Sequence, residues 1–131
     1  IYLSQIKHAD LFLDTFVYNA GATASNALWM GVPILTKRGQ SYTSRMASSL
    51  LHSIGLPELI TTNTKDYLNL AIELATNSKK LNSIKHKLKE NRLQKPLFDT
   101  KLFTHNFEEG LEKVYKNYIE GNRPKNISIS K

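Results

Sequence analysis

The sequence predicts an α/β fold in which a parallel sheet is flanked by helices and the C-terminal end is helical. Short apolar runs alternate with segments of helical period between residues 10 and 61, a pattern that is typical of βαβ units. The connections between these segments are short, which favours parallel strands that lie side by side. After residue 64 only helical periodicity remains, and Pro96 separates the last two helices.

The strands and the first two helices are placed by their boundaries. The first strand is predicted over residues 10–15, and its apolar run from Leu11 to Leu13 is typical of a strand buried on both faces. A helix over residues 22–30 follows and ends at Gly31, a common helix stop. The remaining elements are a strand at 33–36, a helix at 42–54 that ends at Gly55, and a short strand at 58–61.

Three further helices are predicted in the second half of the chain. Thr64 caps a helix over 65–76, Ser78 caps one over 79–93, and Asp99 or Thr100 caps one over 101–119. Helical spacing predicts the apolar face of each. In order, these faces are Tyr67, Leu68, Ala71, Ile72 and Ala75; Leu81, Ile84 and Leu88; and Phe103, Phe107, Leu111, Val114, Tyr115 and Tyr118.

These elements form one predicted domain over residues 1–120, followed by a polar tail over 121–131 that we expect to fray. Three short strands are few for a doubly wound domain, and the chain begins at Ile1 shortly before a strand. We therefore expect that the domain is incomplete at its N-terminus and that the chain is part of a larger protein.

The composition excludes several kinds of site. The chain has no cysteine, so it has no disulfide and no thiolate metal site. It shows no signal peptide and no apolar run of membrane-spanning length, so we expect a cytoplasmic protein without membrane contact. Its four histidines lack metal-ligand spacing, and no Ser-His-Asp, His-Glu-x-x-His or Walker-type motif is present. We predict no metal and no cofactor, and no residue is assigned a catalytic role.

The formal net charge of +7 lies entirely in residues 78–131, because residues 1–77 carry five basic and five acidic residues. Residues 79–95 carry seven basic residues against Glu90 alone. A basic helix of this kind can bind nucleic acid or an anionic membrane. It has no interleaved aromatic residues, so we favour a solvated helix face over nucleic-acid binding, and keep partner binding as the alternative.

The segment between the first strand and the first helix is suited to a phosphate group. The loop 18–21 is small and turn-prone, and the helix begins among Gly21, Ala22 and Thr23, which let another molecule approach the backbone. The first-turn N–H groups have no partner in the helix, and the helix dipole is positive at this end. An ordinary strand-to-helix turn is the alternative that the residues by themselves leave open.

Five segments follow one another in a recognisable order: 10–15, 19–33, Ser44-Arg45 with 47–50, 55–60 and 96–104. Together they resemble the bacterial branch of the O-GlcNAc transferase and SPINDLY-type protein glycosyltransferases, over residues 1–120. The resemblance implies the C-terminal Rossmann-like half of a GT-B glycosyltransferase, whose two Rossmann-like domains hold a nucleotide sugar between them. In that family a tetratricopeptide (TPR) array usually precedes the catalytic region.

The resemblance also implies where the nucleotide sugar binds. Gly21, Ala22 and Thr23 stand where many members have His-Thr-Thr, and Asn26 stands where they have an Asp that contacts the ribose. The backbone N–H groups and the Thr23 hydroxyl remain, so the diphosphate is predicted to bind there, with Asn19 and Asn26 near the phosphate or ribose. Asn19 can equally be a turn residue that bonds its own backbone.

Tyr2 and Gln5 depart from the family pattern, since members commonly have His and Arg at these positions. In such family members the Arg places a cation near the phosphates. Because this chain has Gln5 instead, the resemblance also leaves open that the protein is a pseudoenzyme. Structural roles are predicted for two residues near the site: Trp29 in the core and Arg45 in an ion pair with an acidic residue. The candidate partners of Arg45 are Asp10, Asp14 and Glu58, and Asp14 itself either contacts a ligand or bonds a loop amide.

The resemblance therefore predicts a glycosyltransferase fragment that binds UDP-GlcNAc for transfer of the sugar to Ser or Thr of proteins. Alternatives are a GDP-sugar donor, glucosylation of Asn, or a non-catalytic interaction module that uses the basic helix 79–95. The expected partners are the nucleotide sugar, an acceptor protein, the N-terminal GT-B domain and the TPR array. By itself the chain is expected to be inactive, because it lacks the other GT-B domain.

Overall fold

The computed structural model describes residues 2–129. The chain divides into two compact units, Ile1–Leu97 and Phe98–Lys131. The first unit contains the sheet and the helices that pack around it, and the second contains the long C-terminal helix and the segment after it. That residues 1–120 form one domain stays a prediction.

The first unit is built on a parallel sheet of three short strands. They are β1 (Phe12–Leu13), β2 (Ile34–Lys37) and β3 (Ile60–Thr61), and they lie side by side in the order β1-β2-β3. Phe12 of β1 lies opposite Ile34 of β2, and Thr36 of β2 lies opposite Ile60 of β3. Both strand pairs are parallel, which confirms the predicted α/β class.

Helices follow each strand as predicted. The helices before residue 95 are α1 (Tyr2–Ile6), α2 (Ala22–Trp29), α3 (Met46–Ser53), α4 (Thr64–Thr76) and α5 (Ser78–Gln94), of which α2, α3 and α4 come after β1, β2 and β3. Turns of 3-10 helix lie at Thr43–Arg45, Pro57–Leu59 and Pro96–Phe98. Helices α2, α3 and α4 pack on β2. The core is aliphatic and is centred on that strand, with Leu28, Ile34, Leu35, Leu51, Leu59 and Leu74 fully buried.

The edge strand β1 differs from its prediction. Leu13 is 55% exposed, and Leu11 and Phe12 are only partly buried. The predicted burial on both faces is therefore wrong for this strand, because it lies at the edge of the described sheet while the helices pack on β2. The apolar run correctly indicated a strand, and β2 is the strand that is covered.

The helix caps are shifted by one residue. Asn63 and Asn77 are the N-caps of α4 and α5, and the Oδ1 atom of each accepts a hydrogen bond from the backbone N–H three residues further on, at 2.9 and 3.0 Å. The predicted caps Thr64 and Ser78 are instead the first residues of these helices. Asparagine caps helices at least as well as serine or threonine, so the sequence allowed both positions.

The buried face of α4 is also different. Tyr67 and Leu74 are the buried residues of this helix, whereas Leu68 and Ile72 are 53% and 62% exposed. Tyr67 and Leu74 are seven residues apart and share a face, and that face packs on β2 and α5. The apolar stripe of α4 is wide, so its sequence did not identify which edge of the stripe is buried.

Helix α5 buries Ile84 and Leu88 as predicted, and it also buries Asn91. Leu81 is partly buried. Trp29, which we predicted in the core, is 45% exposed, and the Arg92 guanidinium carbon lies 5.4 Å from the centre of its ring. The core prediction for Trp29 is wrong because the neighbouring Leu28 takes the buried position on α2.

The second unit contains α6 (Thr100–Ile119), which is capped by Asp99 as predicted, with the Asp99 carboxylate accepting from the Leu102 N–H at 2.9 Å. The predicted apolar face of α6 is exposed, at 54% to 75% per residue. In the following segment, the Ser128 carbonyl accepts from Lys113 Nζ at 3.1 Å. That residues 121–131 form a frayed tail stays a prediction. Ser130 and Lys131 lie outside the described residues.

Between residues 2 and 129 we find no helix that combines the length and the apolar character required to span a membrane.

Candidate functional site

A cavity of about 470 Å³ lies at the carboxyl end of β1, where the chain turns into α2. It is lined by residues 12–15 and 18–23, and ligands of parallel α/β sheets gather at this edge. Of the five predicted binding residues, Asn19, Gly21, Ala22 and Thr23 line this cavity. Asn26 is not in the lining, because it lies in α2 one turn beyond Ala22.

The first turn of α2 carries the electrostatic character of the cavity. Gly21 is the N-cap residue, and no side chain caps the helix. Ala22 and Thr23 are exposed. Because the first N–H groups of a helix have no acceptor within it, they present positive partial charge to the cavity. This arrangement can hold an anion.

Asp14 holds the loop between β1 and α2 in place. Its carboxylate is buried, and its two oxygens accept from the Ala20 N–H at 2.8 Å and from the Thr36 hydroxyl at 2.7 Å. The alternative in which Asp14 bonds a loop amide is therefore confirmed. Since both oxygens have partners in the chain, Asp14 positions the loop on β2.

Aromatic contacts reinforce the same loop. The Tyr67 hydroxyl donates to the Asp14 carbonyl at 3.0 Å, and the Phe16 ring meets the Tyr67 ring edge-on at 4.9 Å. Lys37 Nζ lies 4.4 Å from the centre of the Phe16 ring. Burial, with a smaller contribution from the Asp14 charge, raises the pKa of Tyr67, so the hydroxyl remains a donor in the folded protein.

Asn19 has a buried acceptor without a partner. Its side chain is almost fully buried, and Nδ2 donates to the Thr15 carbonyl at 2.7 Å. The structure therefore confirms the turn role, in which Asn19 bonds its own loop. The Oδ1 atom, however, has no hydrogen-bond partner among the described residues. A buried acceptor left unpaired costs about 1–3 kcal/mol, so an N–H or O–H donor from a ligand would stabilise this site.

The predicted ion pair of Arg45 is absent from the part of the chain that the structure describes. Asp10 pairs with Lys85 at 2.6 Å, and Glu58 pairs with Lys87 at 2.7 Å. Asp14 has the partners given above. The prediction was wrong because α5 approaches Asp10 and Glu58, a tertiary contact that local sequence does not reveal.

The family positions that depart from the pattern lie on α1. Tyr2 and Gln5 are both exposed there. Within the described residues, the lining of the cavity contains no lysine and no arginine. The helix N-terminus is therefore its source of positive potential.

Comparison with known proteins identifies relatives. The model of Glycosyl transferase family 41 matches residues 3–107. The chain is 35% identical over 115 residues to the probable UDP-N-acetylglucosamine--peptide N-acetylglucosaminyltransferase SPINDLY of Petunia hybrida. It is 34% identical over 113 residues to the UDP-N-acetylglucosamine--peptide N-acetylglucosaminyltransferase of Caenorhabditis elegans. These matches cover 88% and 86% of this chain, but the chain spans only 12% and 10% of the length of the two relatives.

Among solved structures, the chain is similar to a point mutant of the Thermobaculum terrenum O-GlcNAc transferase, with a TM-score of 0.83 and 29% sequence identity. The match covers 88% of this chain and 22% of that one. With the parallel sheet and its flanking helices, this similarity confirms the predicted fold, the C-terminal Rossmann-like half of a GT-B glycosyltransferase.

Proposed function

The chain belongs to glycosyl transferase family 41, and from this we propose that it is the donor-binding part of a protein glycosyltransferase. In this proposal the cavity at the start of α2 binds UDP-GlcNAc, and the whole protein transfers the sugar to Ser or Thr of an acceptor protein. The names of the relatives support this donor and a peptide acceptor.

One observation carries the proposal: an uncapped helix N-terminus lines the same cavity as Asn19, whose buried Oδ1 has no partner among the described residues. A nucleotide sugar supplies what each of them lacks. Its diphosphate brings negative charge to the N–H groups of Ala22 and Thr23, and its hydroxyls bring donors for Asn19 Oδ1. The Thr23 hydroxyl donates to a phosphate oxygen. In this proposal the ribose extends beyond the cavity lining along α2, where Asn26, one turn after Ala22, bonds it.

In the proposed reaction, the first turn of α2 stabilises the negative charge that develops on the leaving diphosphate. As the bond between the sugar and the diphosphate breaks, negative charge grows on the departing phosphate, and fixed N–H dipoles stabilise it without reorganising. The acceptor hydroxyl is the nucleophile, so the chain needs to supply none. We propose that the N–H groups meet the charge of the diphosphate without a metal ion or other cofactor.

The other partners belong to the same proposal. They are an N-terminal GT-B domain that completes the cleft and a TPR array. We also propose that the protein is cytoplasmic. Because the acceptor must be positioned against the donor across the cleft, we expect the 131-residue chain alone to bind donor and to transfer no sugar.

The test is a calorimetric titration of the chain with UDP, GDP and UDP-GlcNAc in the presence of EDTA. We expect saturable UDP binding that weakens at least tenfold in Thr23→Ala/Asn26→Ala, since losing one hydrogen bond to a charged group costs about 1.5–3 kcal/mol. Binding should weaken less in Asn19→Ala, where a neutral hydrogen bond of about 0.5–1.5 kcal/mol is lost. The matched control is Asn69→Ala/Asn82→Ala, which truncates two exposed residues of α4 and α5 and should leave binding unchanged.

Three outcomes would change the proposal. Preference for GDP would replace the UDP-sugar with a GDP-sugar donor. A chain that is folded by circular dichroism but binds no nucleotide would contradict the proposal and favour the non-catalytic interaction module. Binding that is seen in a parallel titration without EDTA, but not in its presence, would contradict the metal-free part of the proposal.

A further inference from the structure

A second cavity, of about 680 Å³, has a cationic lining. Arg38 and Arg45 line it together with His52, Tyr42 and Met46, and three serines complete the lining. None of these residues is acidic. The volume lies within the range of about 300–1,000 Å³ that is usual for ligand pockets. We call this space the arginine cavity.

Both guanidinium groups of the arginine cavity are without a carboxylate partner among residues 2–129. Their backbones, in contrast, are held. The Arg38 N–H donates to the Thr61 carbonyl at 2.8 Å, and the Arg45 carbonyl accepts from the Ser48 hydroxyl at 2.8 Å. Two arginines without a carboxylate partner therefore line one cavity, with side chains that are exposed to an incoming ligand. Such a pair makes a site for carboxylate or phosphate oxygens, which Arg binds in a bidentate manner.

The arginine cavity adjoins the proposed donor site. Met46 lines the arginine cavity, and its Cε lies 3.4 Å from the position that a Cβ on Gly21 would take. Gly21 lines the donor cavity. The two loops are also bonded, since the Asn19 N–H donates to the Thr43 carbonyl at 3.1 Å. A molecule in the arginine cavity would therefore lie next to the bound nucleotide sugar.

We propose that the arginine cavity binds acidic side chains of the acceptor protein and so favours acceptors with Asp or Glu near the modified residue. The proposal rests on the proposed function, because it needs a donor in the adjoining cavity. The volume exceeds what a single inorganic anion fills, and Tyr42 and Met46 add apolar contact beside the two charges. This combination fits a polypeptide segment with carboxylates.

The test measures the binding of two fluorescent peptides to the 131-residue chain by anisotropy. One peptide is a serine-containing acidic sequence, and in the other every Glu is replaced by Gln. We expect at least tenfold tighter binding of the acidic peptide, and loss of this preference in Arg38→Gln/Arg45→Gln. UDP binding, measured on the same samples, should be unchanged in that variant.

The charge-matched control is Lys79→Gln/Lys89→Gln. It removes two positive charges from exposed positions of α5 that have no ion pair among the described residues, so peptide preference should survive. Circular dichroism checks that each variant is folded. If this control lost the preference for the acidic peptide equally, the preference would come from long-range attraction by the net charge of the chain. That result would overturn the proposal of a site localised at the arginine cavity.

Three further results would overturn the proposal. They are equal binding of the two peptides, an acidic-peptide preference that persists in the arginine variant, and saturable binding of inorganic phosphate by the arginines without binding of the peptide, which would define a small-anion site. Failure of the proposed function is seen separately, as absence of UDP binding. In that case a retained peptide preference would remove the acceptor assignment.

Discussion

Asp14 and Asn19, two polar residues of the β1–α2 loop, differ in hydrogen bonding. The difference distinguishes a residue that holds the loop in place from a candidate ligand-binding residue. Asp14 is buried with both carboxylate oxygens bonded inside the chain, so it fixes the loop. Asn19 is equally buried, but only its Nδ2 is bonded and Oδ1 is left without a partner among the described residues. The Tyr67 hydroxyl, which donates to the Asp14 carbonyl, links this loop to α4.

Tyr67 gives the fold a specific alkaline sensitivity. Burial raises its pKa above the ordinary 10.0, so the folded protein retains this proton at a pH where the unfolded chain releases it. The stabilisation is complete below pH 10.0 and is lost as the pH rises through the folded-state pKa. Tyr67→Phe should cost about 0.5–1.5 kcal/mol near neutral pH, the usual contribution of one hydrogen bond.

The measurement is urea unfolding of wild type and Tyr67→Phe from pH 8 to 11. The stability advantage of the wild type should narrow above pH 10.0, because only the wild type has Tyr67 to ionise. Tyr118→Phe, at an exposed position, serves as the control and should follow the wild type throughout. A constant difference between wild type and Tyr67→Phe would contradict the assigned pKa shift.

Among the secondary-structure elements, α5 is tied to the ends of two other helices. Asn91 Nδ2 donates to the carbonyls of Ile54 and Gly55, at 2.8 and 3.2 Å, where α3 ends. Arg92 donates to the carbonyl of Trp29, where α2 ends. The helix thus satisfies carbonyl groups that helix C-termini leave unpaired.

Two glycines that end helices should respond differently to substitution. Gly31 and Gly55 both have left-handed backbones, with φ of +85° and +74°. Alanine in that conformation costs about 1–2 kcal/mol. A Cβ at Gly31 meets nothing within 4 Å, whereas one at Gly55 would lie 2.9 Å from Asn91 Nδ2.

We therefore expect Gly55→Ala to lower the free energy of unfolding more than Gly31→Ala does, because it also displaces the Asn91 amide. Urea titration of the two variants measures the difference. Combining each with Asn91→Ala supplies the control, since the excess cost of Gly55→Ala should shrink once the amide is absent. If Gly31→Ala and Gly55→Ala lowered the free energy of unfolding equally in the wild-type background, the prediction would be wrong, because the Asn91 amide would then move aside without cost.

At the scale of the first unit, the two edges of the sheet have different roles. Lys85 and Lys87 of α5 pair with Asp10 and Glu58, which lie just before β1 and β3. These contacts place part of the basic helix at the amino edge of the sheet. The candidate site lies at the opposite, carboxyl edge. Part of the basic charge of residues 79–95 is thus engaged in ion pairs within the fold. That the rest of this helix face is solvated stays a prediction.

Charge reversal should separate structural from free lysines. Lys85→Glu/Lys87→Glu replaces two attractions with repulsions and should lower the melting temperature, whereas Lys79→Glu/Lys89→Glu should leave it nearly unchanged. Differential scanning fluorimetry at low and high salt measures this, and the effect should fade at 1 M salt, where charges are screened within about 3 Å. Both variants should retain UDP binding when folded, and loss of it would contradict the separation of the two edges.

The sequence by itself determined the elements that depend on local rules. Apolar runs, glycine stops and turn residues placed three strands and the helices after them. The motif order identified the family and predicted a donor site at the start of α2. Tertiary structure decided what depends on residues distant in the chain: the exposure of Leu13, the buried face of α4 and the partners of Asp10 and Glu58. The unpaired Asn19 Oδ1 and the arginine cavity belong to this second group, since an unpaired atom is defined by all its neighbours in space, and local sequence specifies only a few of them.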